Sequence, residues 1–330
     1  MAYITYAFSI KGKSHEISNK PCQDYSKVMR IKDAIIAVTA DGVGSAVKAE
    51  IGSCLAVESV LDFFKQDSVD MSVGGILYSI KEAYGYALMK IKDRANKEQC
   101  LESDYDTTLD VGILLNDALY YGHVGDGGII TRNFAGEYET VTSVQKGDDG
   151  ISVIPLRFEE YWETGIKENV CAVLLMTDGI WDICNPYLLR FANEGIYKNI
   201  VRIFSDYNCY RVQENVQSGM ADTVERFLQN KLGELEYRKL LLDALPDNLQ
   251  KKKRTVDKSI SKYCYPLTFM ENVQDDKTIA AIINTDINVY RMPLEYYMEE
   301  NWNEYQEKWN RLAYPSLYQN NKKKNVKKNT

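Results

Sequence analysis

The chain reads as an α+β protein whose core is carried by antiparallel strands. Three observations predict this. Short apolar runs stop abruptly at Asp41-Gly42 and again at Asp178-Gly179, two stretches between Cys54 and Ile91 repeat apolar residues at helical spacing, and from Thr107 onward short β-like segments alternate with tight turns.

Taken in order, Tyr3 to Ile10 alternates enough to form a strand, and Ala34 to Ala40 (AIIAVTA) is a buried strand ending at a polar turn. Cys54, Val57, Leu61 and Phe64, then Ile76, Ile80, Ala83, Ala87 and Ile91, mark two amphipathic helices. The segments TTLDVGILL, ALYYGHVG, GIITRN and YETVTSV follow, separated by Asn-Asp, Gly-Asp-Gly and Ala-Gly turns, and predict a meander of antiparallel strands. Cys171 to Thr177 (CAVLLMT) is another buried strand and Thr278 to Asn284 (TIAAIIN) a last one. Between them residues 183–272 are mostly helical in pattern, with Val224, Phe227, Leu228, Lys231 and Leu235 on one face. So long an excursion needs a surface to pack on, which predicts that part of it forms an outer helical layer. Leu294, Met298, Trp302, Tyr305, Trp309 and Leu312 make a helical stripe, read as a C-terminal amphipathic helix over 291–312, and residues 313–330 are expected to be a basic, disordered tail.

Composition narrows the chemistry. Of 330 residues, 40 are Lys or Arg and 47 Asp or Glu, a net charge of −7 that repels nucleic-acid phosphates; the dense basic runs, Lys251 to Arg254 and Lys322 to Lys328, read as solvated faces. Nucleic acid is therefore not an expected partner. No run reaches the ~18 apolar residues of a membrane span. The opening MAYITYAFSIKGKSH lacks the basic start and cleavage site of a signal peptide, so the expected location is the cytoplasm. Cys22, Cys54, Cys100, Cys171, Cys184, Cys209 and Cys264 form no C-x-x-C pair and read as reduced core thiols. With His15 and His123 the only histidines, a His-rich zinc site or a phosphohistidine relay is poorly supplied, and metal chemistry should use oxygen ligands and hard cations.

Acidic residues sit where the chain changes direction: Gln23-Asp24, Asp41-Gly42, Asp178-Gly179 and Asp275-Asp276. Each lies at a strand end, so all can converge on one edge of a sheet. Converging carboxylates repel one another by several kcal/mol unless cations or protons neutralise them. Two divalent cations a few Å apart are the natural remedy, and such a pair suits phosphoryl hydrolysis.

The ordered set Gly12-Lys13-Ser14-His15, Pro21-Cys22-Gln23-Asp24, Ala40-Asp41-Gly42-Val43-Gly44-Ser45, Gly52-Ser53, Asp106-Thr107-Thr108-Leu109, Gly122-His123-Val124-Gly125-Asp126, Met176-Thr177-Asp178-Gly179 and Asp276-Lys277-Thr278 resembles the metal-dependent, type 2C (PPM-type) protein serine/threonine phosphatases. The resemblance spans about residues 3–285 and implies one phosphatase domain over 1–290 that includes the 183–272 excursion. The fold it implies is a four-layer α/β/β/α sandwich, two antiparallel sheets flanked by helices, with the metals at one end. It makes Asp41 the carboxylate bridging two Mn²⁺ or Mg²⁺ ions, with the Gly42 carbonyl as a further ligand and Asp178 and Asp276 completing one shell. Asp24 matches the second acidic residue of the first motif, where Gln23 replaces a frequent Glu. Asp126 matches the residue linked to a third, weaker ion, and Thr107 and Thr108 the pair that supports the site. The implied activity is hydrolysis of phosphoserine or phosphothreonine on a phosphorylated protein by in-line attack of a metal-bridged hydroxide.

Two departures bear on that activity. The family's phosphate-gripping Arg is replaced by Asn19, leaving His15, a candidate for phosphate contact or for loop anchoring, and Lys20 as substitutes. Val43 stands where many members carry a His that protonates the leaving alcohol, so a catalytically weak, phosphoprotein-binding regulatory module is the alternative. His123, inside an apolar strand, reads as structural. Cys184-Asn185-Pro186-Tyr187-Leu188-Leu189-Arg190 fits the C-x₅-R spacing of cysteine-dependent phosphatases, but Pro186 removes a phosphate-binding N–H and nothing nearby lowers the thiol pKa. Gly122 to Gly128 lacks the Lys-Ser/Thr of a P-loop, and the Asp41 loop has Gly52 where an EF-hand needs its twelfth, acidic residue.

Overall fold

A computed structural model describes residues 3–192, 195–205, 273–284, 286–287, 292–297, 300 and 302–316. The chain runs β1 (Tyr3–Ile10), α1 (Lys13–Ile17), β2 (Asp24–Ile31), β3 (Ala34–Asp41), α2 (Ala49–Phe64), α3 (Ile76–Glu98), β4 (Leu109–Leu115), β5 (Ala118–Val124), β6 (Gly128–Asn133), β7 (Tyr138–Thr140), β8 (Glu163–Lys167), β9 (Val170–Met176), α4 (Asp178–Cys184), α5 (Tyr187–Ala192), α6 (Lys198–Ser205), β10 (Lys277–Asn284) and α7 (Trp302–Ala313).

The strands form two five-stranded antiparallel sheets, β1-β10-β9-β6-β7 and β2-β3-β4-β5-β8. β1 pairs with β10 from Tyr3↔Asn284 to Ile10↔Lys277, so both ends of the described core close one sheet. Successive strand residues point to opposite faces, and here both faces are covered, which is why β3 is apolar apart from Thr39 and its terminal Asp41. Ile35 and Ala37 pack between the sheets with Ile129, Val173, Leu175, Ala280 and Ile282. Ile36, Val38 and Ala40 turn the other way, under α2 and α3. On the outer face of the β1-β10-β9-β6-β7 sheet α4 and α6 bury Ile180, Trp181, Ile200, Val201 and Phe204. The result is a four-layer α/β/β/α sandwich.

The helical periodicity is met in α3, where Ile76, Ile80, Ala83, Ala87 and Ile91 are all buried; in α2, Val57, Leu61 and Phe64 are buried and Cys54 half-buried. The expected meander divides. β4 and β5 belong to one sheet and β6 and β7 to the other, because the chain crosses between them at Gly125-Asp126-Gly127. Gly125 adopts φ 128°, a conformation open to glycine and strained for other residues, and this permits the crossing. Not singled out from the sequence are α1, a single turn around His15, the strand β2, the short helix α4, and β8, a five-residue edge strand. The C-terminal stripe is broken into a 3₁₀ turn at Leu294–Tyr297 and α7, whose Trp309 packs edge-on against Tyr187 of α5. Of the long excursion, residues 206–272, with the basic run Lys251 to Arg254, lie outside the described residues, as do 317–330 of the tail. Among the described cysteines all five are free thiols; Cys171 and Cys184 are buried, while Cys22, Cys54 and Cys100 are half-buried. No helix among the described residues is long and apolar enough to cross a membrane.

Candidate metal centre

The acidic strand ends meet at one end of the sandwich. Asp24, at the start of β2, lies directly across from Asp41, at the end of β3. Asp178 opens α4 immediately after β9, and Asp126 occupies the crossing between the sheets. One carboxylate oxygen from each of Asp41, Asp126 and Asp178 lies within 4.8 Å of the others.

Backbone contacts hold Asp41 in place. Its N–H donates to Thr108 Oγ1 at 2.9 Å, and its carbonyl accepts from the Thr107 hydroxyl at 2.8 Å and the Thr108 N–H at 2.8 Å. The Thr107-Thr108 pair therefore fixes the strand end and leaves the carboxylate to face the cluster. Thr177 precedes α4 as an N-cap, yet its hydroxyl makes no cap bond; it donates to Asp24 Oδ2 at 2.7 Å. The glycines of both Asp-Gly pairs answer to packing. A Cβ at Gly42 would lie 2.6 Å from the Ala49 carbonyl oxygen, and one at Gly179 would lie 2.0 Å from that of Asp276.

The electrostatics of this cluster are those of crowded, dehydrated anions. Burial pushes the Asp24 carboxyl up to about 7, with the charge of Asp276 adding to it against a hydrogen bond from Thr177. Asp41 is raised well above the carboxylate range by burial and then by Asp24, Asp178, Asp275 and Asp126. Asp178 is raised likewise, by burial and then by Asp126 and Asp275. Asp126 Oδ1, Asp178 Oδ1 and Gln23 Oε1 are buried without a hydrogen-bond partner. A buried anionic oxygen with no donor is costly unless a cation meets it, so the donor set fits hard divalent ions.

Asp276 stands beside this cluster rather than in it. It is 1% exposed. Oδ1 accepts the Gly12 N–H at 2.6 Å, and Oδ2 accepts the Gln23 N–H at 2.6 Å and His15 Nδ1 at 2.9 Å. Its carboxylate is thus filled by donors that tie the β1–β2 connection to the start of β10, and His15 is engaged in that anchor. The neighbouring Asp275 is exposed, and its charge bears on both Asp41 and Asp178.

His123 is fully buried between Asp110, 2.5 Å from Nδ1, and the Ser143 carbonyl, 3.0 Å from Nε2, a structural position. The Cys184 thiol is buried at the end of α4 and raised by burial, while Arg190 pairs with Asp182 at 3.1 Å; neither forms a phosphate loop. Sequence reasoning missed Lys146. Its ammonium is ion-paired with Asp126 Oδ2, and a lone Lys in the Gln145-Lys146-Gly147 loop carries no pattern that would have announced it.

The family profile described as protein phosphatase 2C matches residues 11–229. Among solved structures the fold is similar to a bacterial serine phosphatase, at 12% identity and TM-score 0.51 over 87% of this chain and 99% of that one. It is also similar to the serine/threonine phosphatase Stp1 from Staphylococcus aureus, at 12% identity and TM-score 0.51 over 86% of this chain and 95% of that one. No curated protein sequence matches the chain.

Proposed function

The chain belongs to the protein phosphatase 2C family, and on that premise we propose that it is a metal-dependent protein serine/threonine phosphatase acting on phosphorylated proteins. The observation that carries the reading is the convergence of Asp41, Asp126 and Asp178 with buried oxygens that no donor satisfies. These three side chains would hold the ions, Mn²⁺ or Mg²⁺, with Asp24 behind Asp41 and Gln23 offering a neutral oxygen. Asp275, whose charge reaches both Asp41 and Asp178, is the better candidate from the Asp275-Asp276 pair to join them.

When bound, divalent cations supply a water acidic enough to attack phosphorus at neutral pH and neutralise the phosphate oxygens. The chain's own part is positional. Thr107 and Thr108 set the Asp41 carboxylate, Thr177 orients Asp24, and Asp276 locks the His15 turn and the Gln23 backbone against the same edge. Val43, tied through its N–H to the Asp106 carbonyl at 2.9 Å, offers no proton to a leaving alcohol.

The test is phosphate release from phosphoserine and phosphothreonine peptides by metal-stripped protein, before and after Mn²⁺ is added. The expected result is no release before addition and turnover after it. Equal rates with and without chelator would remove the metal reading. Mn²⁺ binding without any release would favour the alternative, a phosphoprotein-binding module.

A further inference from the structure

Asp126 is the carboxylate for which the family resemblance implies a third, weaker ion, and in this chain one of its two oxygens is already taken. The Lys146 ammonium sits on Oδ2, while Oδ1 is buried without a hydrogen-bond partner. We propose that Lys146 is a resident counter-cation of the acidic cluster, occupying the carboxylate oxygen that a third divalent ion would need, so that the site takes up one ion fewer than its carboxylates could otherwise hold. This rests on the proposed metal reading of the cluster.

The surrounding contacts show that Lys146 is delivered rather than adventitious. The residue before it is clamped to the crossing that carries Asp126. The Gln145 N–H donates to the Gly125 carbonyl at 2.8 Å, and Gln145 Oε1 accepts the Gly125 N–H at 3.1 Å. Gln145 Nε2 donates to the Tyr161 carbonyl at 3.0 Å, tying the same point to the far end of the loop. Two residues earlier, the Ser143 carbonyl is held by buried His123, itself bonded to Asp110. On the other side, Lys146 forms a backbone bridge with Val153. The base of the Lys146 side chain is therefore fixed relative to Asp126, and a tethered cation competes with a free one at a high effective concentration. The Lys146 side chain is 32% exposed against 3% for Asp126, so the ammonium approaches from the solvent side and closes the outer oxygen.

Counting bound Mn²⁺ tests this directly, using the electron paramagnetic resonance signal of free Mn²⁺ with calorimetry for affinities. The protein compared with Lys146→Gln and Lys146→Met is expected to take up one equivalent fewer, or to bind its weakest ion at least about tenfold more weakly, the scale of one nearby like charge. Lys146→Arg, which keeps the charge, should titrate like the parent. Adding Asp126→Asn to Lys146→Gln should remove the extra ion. The inference is overturned if parent and Lys146→Gln bind the same number of ions with the same affinities, or if the extra ion survives Asp126→Asn. If neither protein binds Mn²⁺ at all, the metal reading of the cluster fails together with it.

Discussion

Asp178 and Asp276 differ in what surrounds them far more than in where they sit. Both stand at strand ends on the same edge of the sandwich, and both are largely removed from water. Asp276 receives two backbone N–H groups and an imidazole. Asp178 keeps an oxygen that is buried and unpartnered, beside Asp41 and Asp126. A carboxylate whose lone pairs are filled by donors is a strut. One that is dehydrated, surrounded by like charge and short of donors needs a cation.

The largest effect should come from emptying the cluster. Asp41→Asn or Asp178→Asn is expected to lower kcat at least about a thousandfold, the scale of losing a metal-activated nucleophile, with the folded state retained by circular dichroism. Wild-type turnover in either variant would break the comparison on its functional side.

Next comes the pH dependence of stability without metal. The carboxyls of Asp24, Asp41 and Asp178 are raised in the folded state, Asp24 to about 7, so between the ordinary aspartate range and neutrality the folded chain binds more protons than the unfolded one. Stability is then fully present below about pH 4 as far as these groups are concerned, and is lost as pH rises toward 7. In EDTA the melting temperature should be lower at pH 7 than at pH 5, and Mn²⁺ should abolish the difference. A metal-free melting temperature that rises over that interval would contradict the crowded-anion account.

Asp276→Asn should behave as the loss of a strut, destabilising the metal-free protein by about 1–3 kcal/mol in urea unfolding because buried donors lose an anionic acceptor. His15→Ala, which removes one of those donors, should cost about 1 kcal/mol of stability, and no more than about tenfold in kcat/KM if it also reaches phosphate. The smallest effect is expected from Cys184→Ser, which should leave turnover unchanged; its loss would return the chemistry to the rejected C-x₅-R segment.

The elements that were legible in the sequence are those whose periodicity is enforced by burial. β3, β9 and β10 are covered on both faces and read as apolar runs, interrupted only by Thr39 and by polar residues at the ends of β3 and β10, and α3 shows one buried stripe. The approach of Asp41 to Asp178 followed from their placement at strand ends, whereas Asp126 was indicated only by the family resemblance. What was not legible depended on register and on long-range pairing. Adjacent residues such as Asp275 and Asp276 leave a strand start toward opposite sides, and only the pairing of β10 with β1 and β9 decides which carboxylate meets Gly12 and Gln23. The crossing at Gly125-Asp126-Gly127 carries the turn signal of an ordinary hairpin, so nothing local shows that the chain changes sheets there. The pairing of Lys146 with Asp126 spans two strands and a sheet crossing, beyond the reach of any local pattern.

The central claim is that these two kinds of aspartate divide the work, and Mn²⁺ affinity measured by calorimetry on Asp178→Asn and Asp276→Asn tests it most directly. Asp178→Asn is predicted to weaken Mn²⁺ binding by roughly a hundredfold or more, as expected for a lost anionic ligand, and Asp276→Asn to leave it within a few-fold of the parent while lowering stability. The reverse pattern, with Asp276→Asn abolishing Mn²⁺ binding and Asp178→Asn sparing it, would contradict the account.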